Sequence, residues 1–394
     1  MKILSLLFLI ITCTLYASAY KVPTTSLNGV ALSGANIAHS TSADAAYYNP
    51  ANMAFMKDSN HVELDIIYLD PDSTNFQGSL DGTNIESENE TFFIPSLNYV
   101  SPEIFGTRLG LSILIPAQLT DRWLTPPAIK TAKEFSLKTI EINPTVAIPI
   151  GDLLGIAFGL RVVSSSTTFK SSAIVSRDIA CESVDYGYNL AVAYKPTKQF
   201  DIALTYRSKI DLTQEGSAKL YTASDLTYYG GVSVDMLLPA SINLALAYTL
   251  KSQTTIEFVY ERNFWSAYKT LDFNYKGNIG KLEPCFGSPV SKNYKDTNIL
   301  HLGLTQDFDK LTLMGGVMFD ETPIPSQTVD FELSDSDSLS LSIGARYQVT
   351  KNINFGISAL YSMKEEQSIV NENINGKFSN SNILIISGGI EYRF

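Results

Sequence analysis

The chain has 394 residues, with 29 Lys and Arg against 40 Asp and Glu, a formal net charge of −11 and 45% hydrophobic residues. An acidic chain without basic clusters is a poor partner for nucleic acid, whose phosphates select Lys and Arg patches. No internal stretch approaches the roughly 20 apolar residues of a membrane helix, and no Cys/His cluster or glycine-rich phosphate loop occurs, so neither metal nor cofactor is expected.

Residues 1–19 read as a secretory leader: Lys2 is the positive start, Ile3 to Leu15 the apolar core, and Ala17-Ser18-Ala19 a small-x-small cleavage site. Ile10-Ile11-Thr12 ahead of Cys13 is a poor lipidation box. Cleavage after Ala19 leaves two cysteines, Cys181 and Cys285, both in expected loops on one side of the membrane. An envelope location permits a disulfide between them; two free thiols are the alternative.

Leu27 to Phe55 is rich in small residues and keeps neither a period of two nor a long period of 3.6. Within it Asn49-Pro50 starts a turn, because proline fixes its own φ and restricts the residue before it. After this segment, side chains alternate. Tyr186, Tyr188, Leu190, Val192 and Tyr194 share one face, with Gly187, Asn189, Ala191 and Ala193 on the other. About 14 such strands follow, over roughly 60–69, 91–100, 106–117, 134–149, 153–170, 183–195, 199–214, 231–249, 253–272, 294–307, 310–321, 336–349, 352–366 and 381–394.

One face of these strands is apolar and the other small or polar, which suits a soluble sandwich or a membrane barrel. Three features favour the barrel. Tyrosines recur near strand ends, as in an interfacial girdle; connections alternate between very short and long; and the chain closes on Ile390-Glu391-Tyr392-Arg393-Phe394. The expectation is therefore an all-β, transmembrane antiparallel β-barrel of about 14 strands. Its short turns face the periplasm. The first long loop carries Asp70, Asp72, Asp81, Glu86, Glu88 and Glu90 without a basic residue, a solvated face or a site for cations bridging to lipopolysaccharide.

Eight strands can be packed shut by side chains and 16 to 18 leave a channel, so about 14 need an obstruction. Residues 20–58 are the spare mass available for a hatch inside the lumen, ahead of a barrel over 59–394. Proline interrupts three consecutive strands at Pro95, Pro116 and Pro144. A closed barrel has no edge, and an unsatisfied backbone group facing hydrocarbon costs several kcal/mol. An inward kink of the third strand at Leu114-Ile115-Pro116-Ala117-Gln118 would bury such groups; a bulge at the rim is the plainer reading.

Several segments resemble the FadL/TodX family of outer-membrane transporters for long-chain fatty acids and hydrocarbons: Asn49-Pro50-Ala51, Leu238-Pro239-Ala240-Ser241-Ile242, Tyr294-Lys295-Asp296-Thr297 and Met318-Phe319-Asp320-Glu321-Thr322-Pro323-Ile324-Pro325. The terminal Phe394 resembles the signal read by the barrel assembly machinery. The resemblance implies a monomer in the Gram-negative outer membrane, among its lipids and lipopolysaccharide, passing a hydrophobic small molecule without its own energy source. It implies a gate at Asn49, Pro50 and Ala51 and a lateral opening at Ile115, Pro116, Ala117 and Gln118. Phe55 and the inward-phase cations Arg161, Lys295 and Arg346 are candidate ligand contacts; structural roles such as barrel-interior ion pairs are the alternative for each cation. One departure stands out: Ser338 occupies the place where the family often has an arginine after Asp335-Ser336-Asp337. That favours a hydrocarbon conduit over a fatty acid carrier as the alternative. A polar-solute porin and an outer-membrane enzyme remain further alternatives, although His301, on the inward phase, has no evident catalytic partner.

Overall fold

A computed structural model describes residues 19–79 and 82–394; the leader up to Ser18 and Asp81 of the first loop lie outside the described residues. Fourteen antiparallel strands form the barrel. They are β1 (His61–Pro71), β2 (Phe92–Val100), β3 (Arg108–Leu114 and Gln118–Asp121), β4 (Glu134–Ile150) and β5 (Leu154–Lys170). Next come β6 (Val175–Tyr194), β7 (Phe200–Arg207 and Ile210–Thr222), β8 (Asp225–Leu238 and Ser241–Thr249) and β9 (Thr254–Asn263). β10 (Thr297–Asp307), β11 (Leu311–Asp320), β12 (Ser338–Gln348), β13 (Ile353–Lys364) and β14 (Ile383–Arg393) complete the wall. β1 pairs with β2 on one side and with β14 on the other, from His61↔Arg393 to Pro71↔Ile383, which closes the cylinder.

Alternation decides which side faces out. Leu190, Leu204, Leu244, Phe258, Leu302, Leu341, Ile343, Phe355 and Ile357 are exposed on the outer face, whereas Asn189, Thr205, Asn243, Glu257, His301, Ser340 and Ser358 are buried within. Tyr194, Tyr248, Tyr347 and Tyr392 lie exposed toward the short-turn end, where aromatic rings sit at a membrane interface.

β4 and β5 have 17 residues each and β6 has 20, well beyond the roughly 9–11 that cross a bilayer. Their polar extensions stand at the long-loop end, which is why the sequence reading started β6 at 183 and ended β7 at 214. Cys181 consequently lies in β6 and is buried, Cys285 is exposed in a loop, and both are free thiols. Four short strands, Asn75–Gly78, Asn84–Glu86, Gln367–Val370 and Asn375–Ser379, make a separate sheet from the long loops.

Candidate functional site

The segment from Ala19 to Met56 is packed against the inner wall by groups that small side chains alone would not predict. Its first helix, α1 (Leu27–Ala31), begins at Ser26, whose Oγ accepts from the Gly29 amide at 3.0 Å and donates to Asp44 at 2.7 Å. Wall serines take carbonyls that the short helix leaves free: Ser358 donates to Leu27 O at 3.0 Å and Ser342 to Ala31 O at 2.9 Å. The Nδ1–H of His301 donates to Ser33 O at 2.7 Å. Close approach is possible because the facing wall lacks side chains. A Cβ at Gly316 would sit 2.3 Å from the Leu32 carbonyl carbon, and one at Gly344 would sit 2.5 Å from Ala31 Cβ.

A second helix, α2 (Ala45–Tyr48), runs into a 3-10 turn over Pro50–Phe55, with Asn49 between them. Asn49 does two jobs. Its Oδ1 accepts from the Ala51 amide at 3.1 Å, and its Nδ2 donates to Ile37 O at 2.8 Å. Asn52 Nδ2 lies 3.0 Å from Ile37 O, 3.2 Å from Ala38 O and 2.9 Å from Ser40 Oγ. Asn49 to Asn52 thus tie the hatch to its own loop, while Ala51 O rests where a Cβ at Gly155 would be 2.5 Å away.

The third strand is broken where the prolines suggested. Leu114 pairs with Glu141 and Gln118 with Lys138, so residues 115–117 face only 139–140, a bulge in mid-wall. β2 pairs with β3 only from Leu97↔Ile113 to Val100↔Gly110, so Phe92 to Ser96 have no ladder partner on that side. Hatch residues take the freed groups: Val22 N donates to Pro116 O at 3.0 Å and Gln118 N to Tyr20 O at 3.1 Å. Thr139 Oγ1 accepts from Ala117 N at 3.1 Å and donates to Ala117 O at 2.6 Å. At Pro144, which has no N–H to give, Asn143 Nδ2 donates to Leu160 O at 2.6 Å instead. The strap Lys21–Pro23 lines two cavities at once. The inner one, about 80 Å³, is bounded by Tyr47, Pro116, Arg207 and His301. The other, about 120 Å³, is bounded by Phe92, Gln118 and Ile383 beside the unpaired stretch.

The closed 14-strand wall is the architecture to which the comparisons also point. The family described as outer membrane protein transport protein (OMPP1/FadL/TodX) matches residues 8–394. The chain belongs to that family. The long-chain fatty acid transport protein of Escherichia coli O6:H1 is 22% identical over 365 residues, covering 79% of each chain. A Pseudomonas aeruginosa FadL homologue superposes with a TM-score of 0.85 at 19% identity, over 95% of this chain and 99% of that one. The Ralstonia pickettii toluene transporter TbuX gives 0.73 at 17% identity, over 94% and 99%. These relatives place the chain among outer-membrane transporters of hydrophobic molecules rather than enzymes.

Within this FadL/TodX-type barrel the candidate cations fare unequally. Arg161 does face inward, yet Glu141 takes it bidentately at 3.1 and 2.9 Å and Ser208 O accepts a third bond at 2.7 Å. Arg207 also pairs with Glu141 and stacks over Tyr47 at 4.2 Å. Arg346 faces inward, paired with Glu63 and donating to Asn28 Oδ1 at 2.6 Å, beneath α1. Lys295 is a correction: β10 starts at Thr297, so phase does not extend to it, and its side chain is exposed in a loop. Phe55 is half-buried at the short-turn end with Lys195 Nζ 5.2 Å over its ring, away from both cavities along the strap.

Sequence reasoning missed Lys292, three residues before Lys295. It is buried in a loop, with Nζ 2.7 Å from Asp330 and 3.7 Å from Glu332. Tyr20, Phe135, Phe169, Tyr268 and Tyr294 surround this pocket. Arg177 enters from β6, pairing with Glu332 and stacking on Phe273 at 4.7 Å. Burial alone would lower the Lys292 ammonium, but Asp330 and then Glu332 outweigh it and hold its pKa above the usual lysine range. Nothing in the local pattern distinguishes Lys292 from Lys295; only the loop's inward course does.

Proposed function

We propose that this protein carries long-chain fatty acids passively across the outer membrane, with release sideways through the wall at Ile115–Gln118. The observation that carries the reading is the strap: Lys21–Pro23 line both the inner cavity and the cavity beside unpaired Phe92–Ser96. Moving it by a few ångströms would join the lumen to the membrane without breaking any strand pair of the wall. A ligand drives that movement only through a difference in affinity between closed and open forms. Lys292 and Arg177 sit among aromatic rings beside a cavity of about 10 Å³, so a fatty carboxylate would reach them by displacing Asp330 or Glu332 from these cations. Residues 20–58 act as the hatch, with Asn49, Pro50 and Ala51 holding it together, and residues 59–394 as the barrel. A single chain closes its own wall, which suits a monomer among outer-membrane lipids and lipopolysaccharide.

A second reading is a conduit for aromatic or aliphatic hydrocarbons. Ser338 in the place of the family arginine favours it, as does the pairing of Lys292 with Asp330 and Glu332. Uptake of labelled palmitate and labelled toluene by deletion cells expressing the protein separates the two. Palmitate uptake that falls about tenfold in Lys292→Met while toluene is unaffected supports the carboxylate site, a loss on the scale of one charged hydrogen bond. Toluene uptake without palmitate uptake decides for the hydrocarbon.

A further inference from the structure

Beneath the inner cavity the hatch is only one loop thick. Gly34 and Ile37 line the inner cavity, whereas Asn36, His39, Thr41 and Ser42 line a polar cavity of about 290 Å³ toward the short-turn end. Residues 36–39 are therefore the partition between the lumen and that end of the barrel. Their carbonyls are held from the hatch side by Asn49 and Asn52. The amides of Ile37 to His39 are held by one residue of the wall. Glu257, on the inner face of β9 and buried, accepts from Ile37 N at 2.7 Å, Ala38 N at 2.6 Å and His39 N at 3.2 Å. Three successive amides converging on one carboxylate form an anion nest, with the anion supplied by the barrel. His39 continues the grip through Nδ1 to Asp201 at 2.6 Å, and Asp201 also takes Lys195 at 3.2 Å.

We infer that Glu257 is the latch of an axial gate formed by residues 36–39, distinct from the lateral opening at Pro116, and so a positioning residue for transport. The inference rests on the hatch reading above but not on the ligand. Charge-assisted bonds to an anion are about twice as strong as neutral ones. An amide in place of the carboxylate keeps one oxygen for the Ile37 and Ala38 amides but loses the charge and sets an NH2 against the His39 amide, so the wall contact weakens without loss of volume. Axial opening then joins the inner and short-turn-end cavities into an aqueous path.

The test uses the full protein in proteoliposomes, with barrel assembly checked by heat-modifiable gel migration. Glu257→Gln is expected to raise the swelling rate in isotonic arabinose about tenfold, as the loss of a charge-assisted contact implies. Amide exchange at residues 37–39 is expected to quicken while the strands stay protected. Asn52→Ala, which frees the same loop from the other side, is expected to leak too, and the double variant to leak no more than the worse single one. Normal migration with unchanged swelling and unchanged exchange overturns the latch. Should Glu257→Gln fail to assemble, Glu257→Asp keeps the charge but shortens its reach, and an unchanged leak there overturns it equally. Palmitate uptake is read separately: a leak without palmitate uptake keeps the latch and discards the fatty acid reading.

Discussion

The hatch meets the barrel in two different ways on two arcs of the wall, with β14 and β1 between them. Against β11 to β13 the ladders are continuous, and α1 docks on finished strands through wall glycines and serines. Against β2 and β3 the ladder is unfinished, and the strap Tyr20–Val22 supplies its own backbone to the break. A docked surface resists by close packing over several residues, whereas a patched one depends on a few hydrogen bonds. The difference is why we propose release at the patched arc and not at the docked one.

The largest effect is expected on the docked side. Gly316→Val places a side chain into the backbone of Leu32 and should cost about 3 kcal/mol or displace α1 outright. The midpoint of heat-modifiable gel migration reads this. Gly315→Ala, whose nearest neighbour would be Ser342 O at 3.5 Å, serves as the control and should leave the midpoint nearly unmoved. Equal shifts for the two would mean that α1 is not seated against the wall.

On the patched side a smaller change should have the larger functional consequence. Val22→Pro deletes the amide donated to Pro116 O, and Thr139→Val deletes the hydroxyl shared by both backbone groups of Ala117. Each is expected to cost about 1–2 kcal/mol. Ligand uptake should change several-fold in both, since the strap lines both cavities. Stability lost with uptake preserved would return the break to a bulge without a transport role.

The smallest effect concerns the outer end of the strap. Asp335 accepts from Thr322 Oγ1 at 3.0 Å and pairs with Lys364 at 2.6 Å. Its neighbour Asp337 is pushed up to about 7 by burial, with Glu365, Asp335 and Glu321 adding to the rise. A carboxyl raised in the folded state binds its proton more tightly there than when unfolded. Stability from this group is therefore greatest below about pH 4 and declines as pH rises to about 7. Asp337→Asn should flatten that part of the melting-temperature profile and leave the docked side unaffected.

Alternation, the even strand number, the order of short and long connections and the need for an internal obstruction were all legible in the chain, because strand faces repeat every two residues. The break in the third strand was legible too, since proline cannot complete a ladder. Which cations face the ligand path was not. Phase counting placed Arg161 and Arg346 on the inner face and allowed them barrel-interior ion pairs, but it could not name Glu141 and Glu63 as the partners. It also carried Lys295 inward past the true start of β10.

Sequence alone thus determined a membrane barrel with a filled bore and a weak third strand, since periodicity and proline chemistry are local properties. Tertiary structure alone decided what grips the filling. The carboxylate of Glu257 meets the amides of Ile37 to His39 across about 220 residues of chain, and Val22 meets Pro116 at a break in the wall far along the sequence. Such meetings depend on register around a closed cylinder, where a shift of one residue turns every inward group to the lipid.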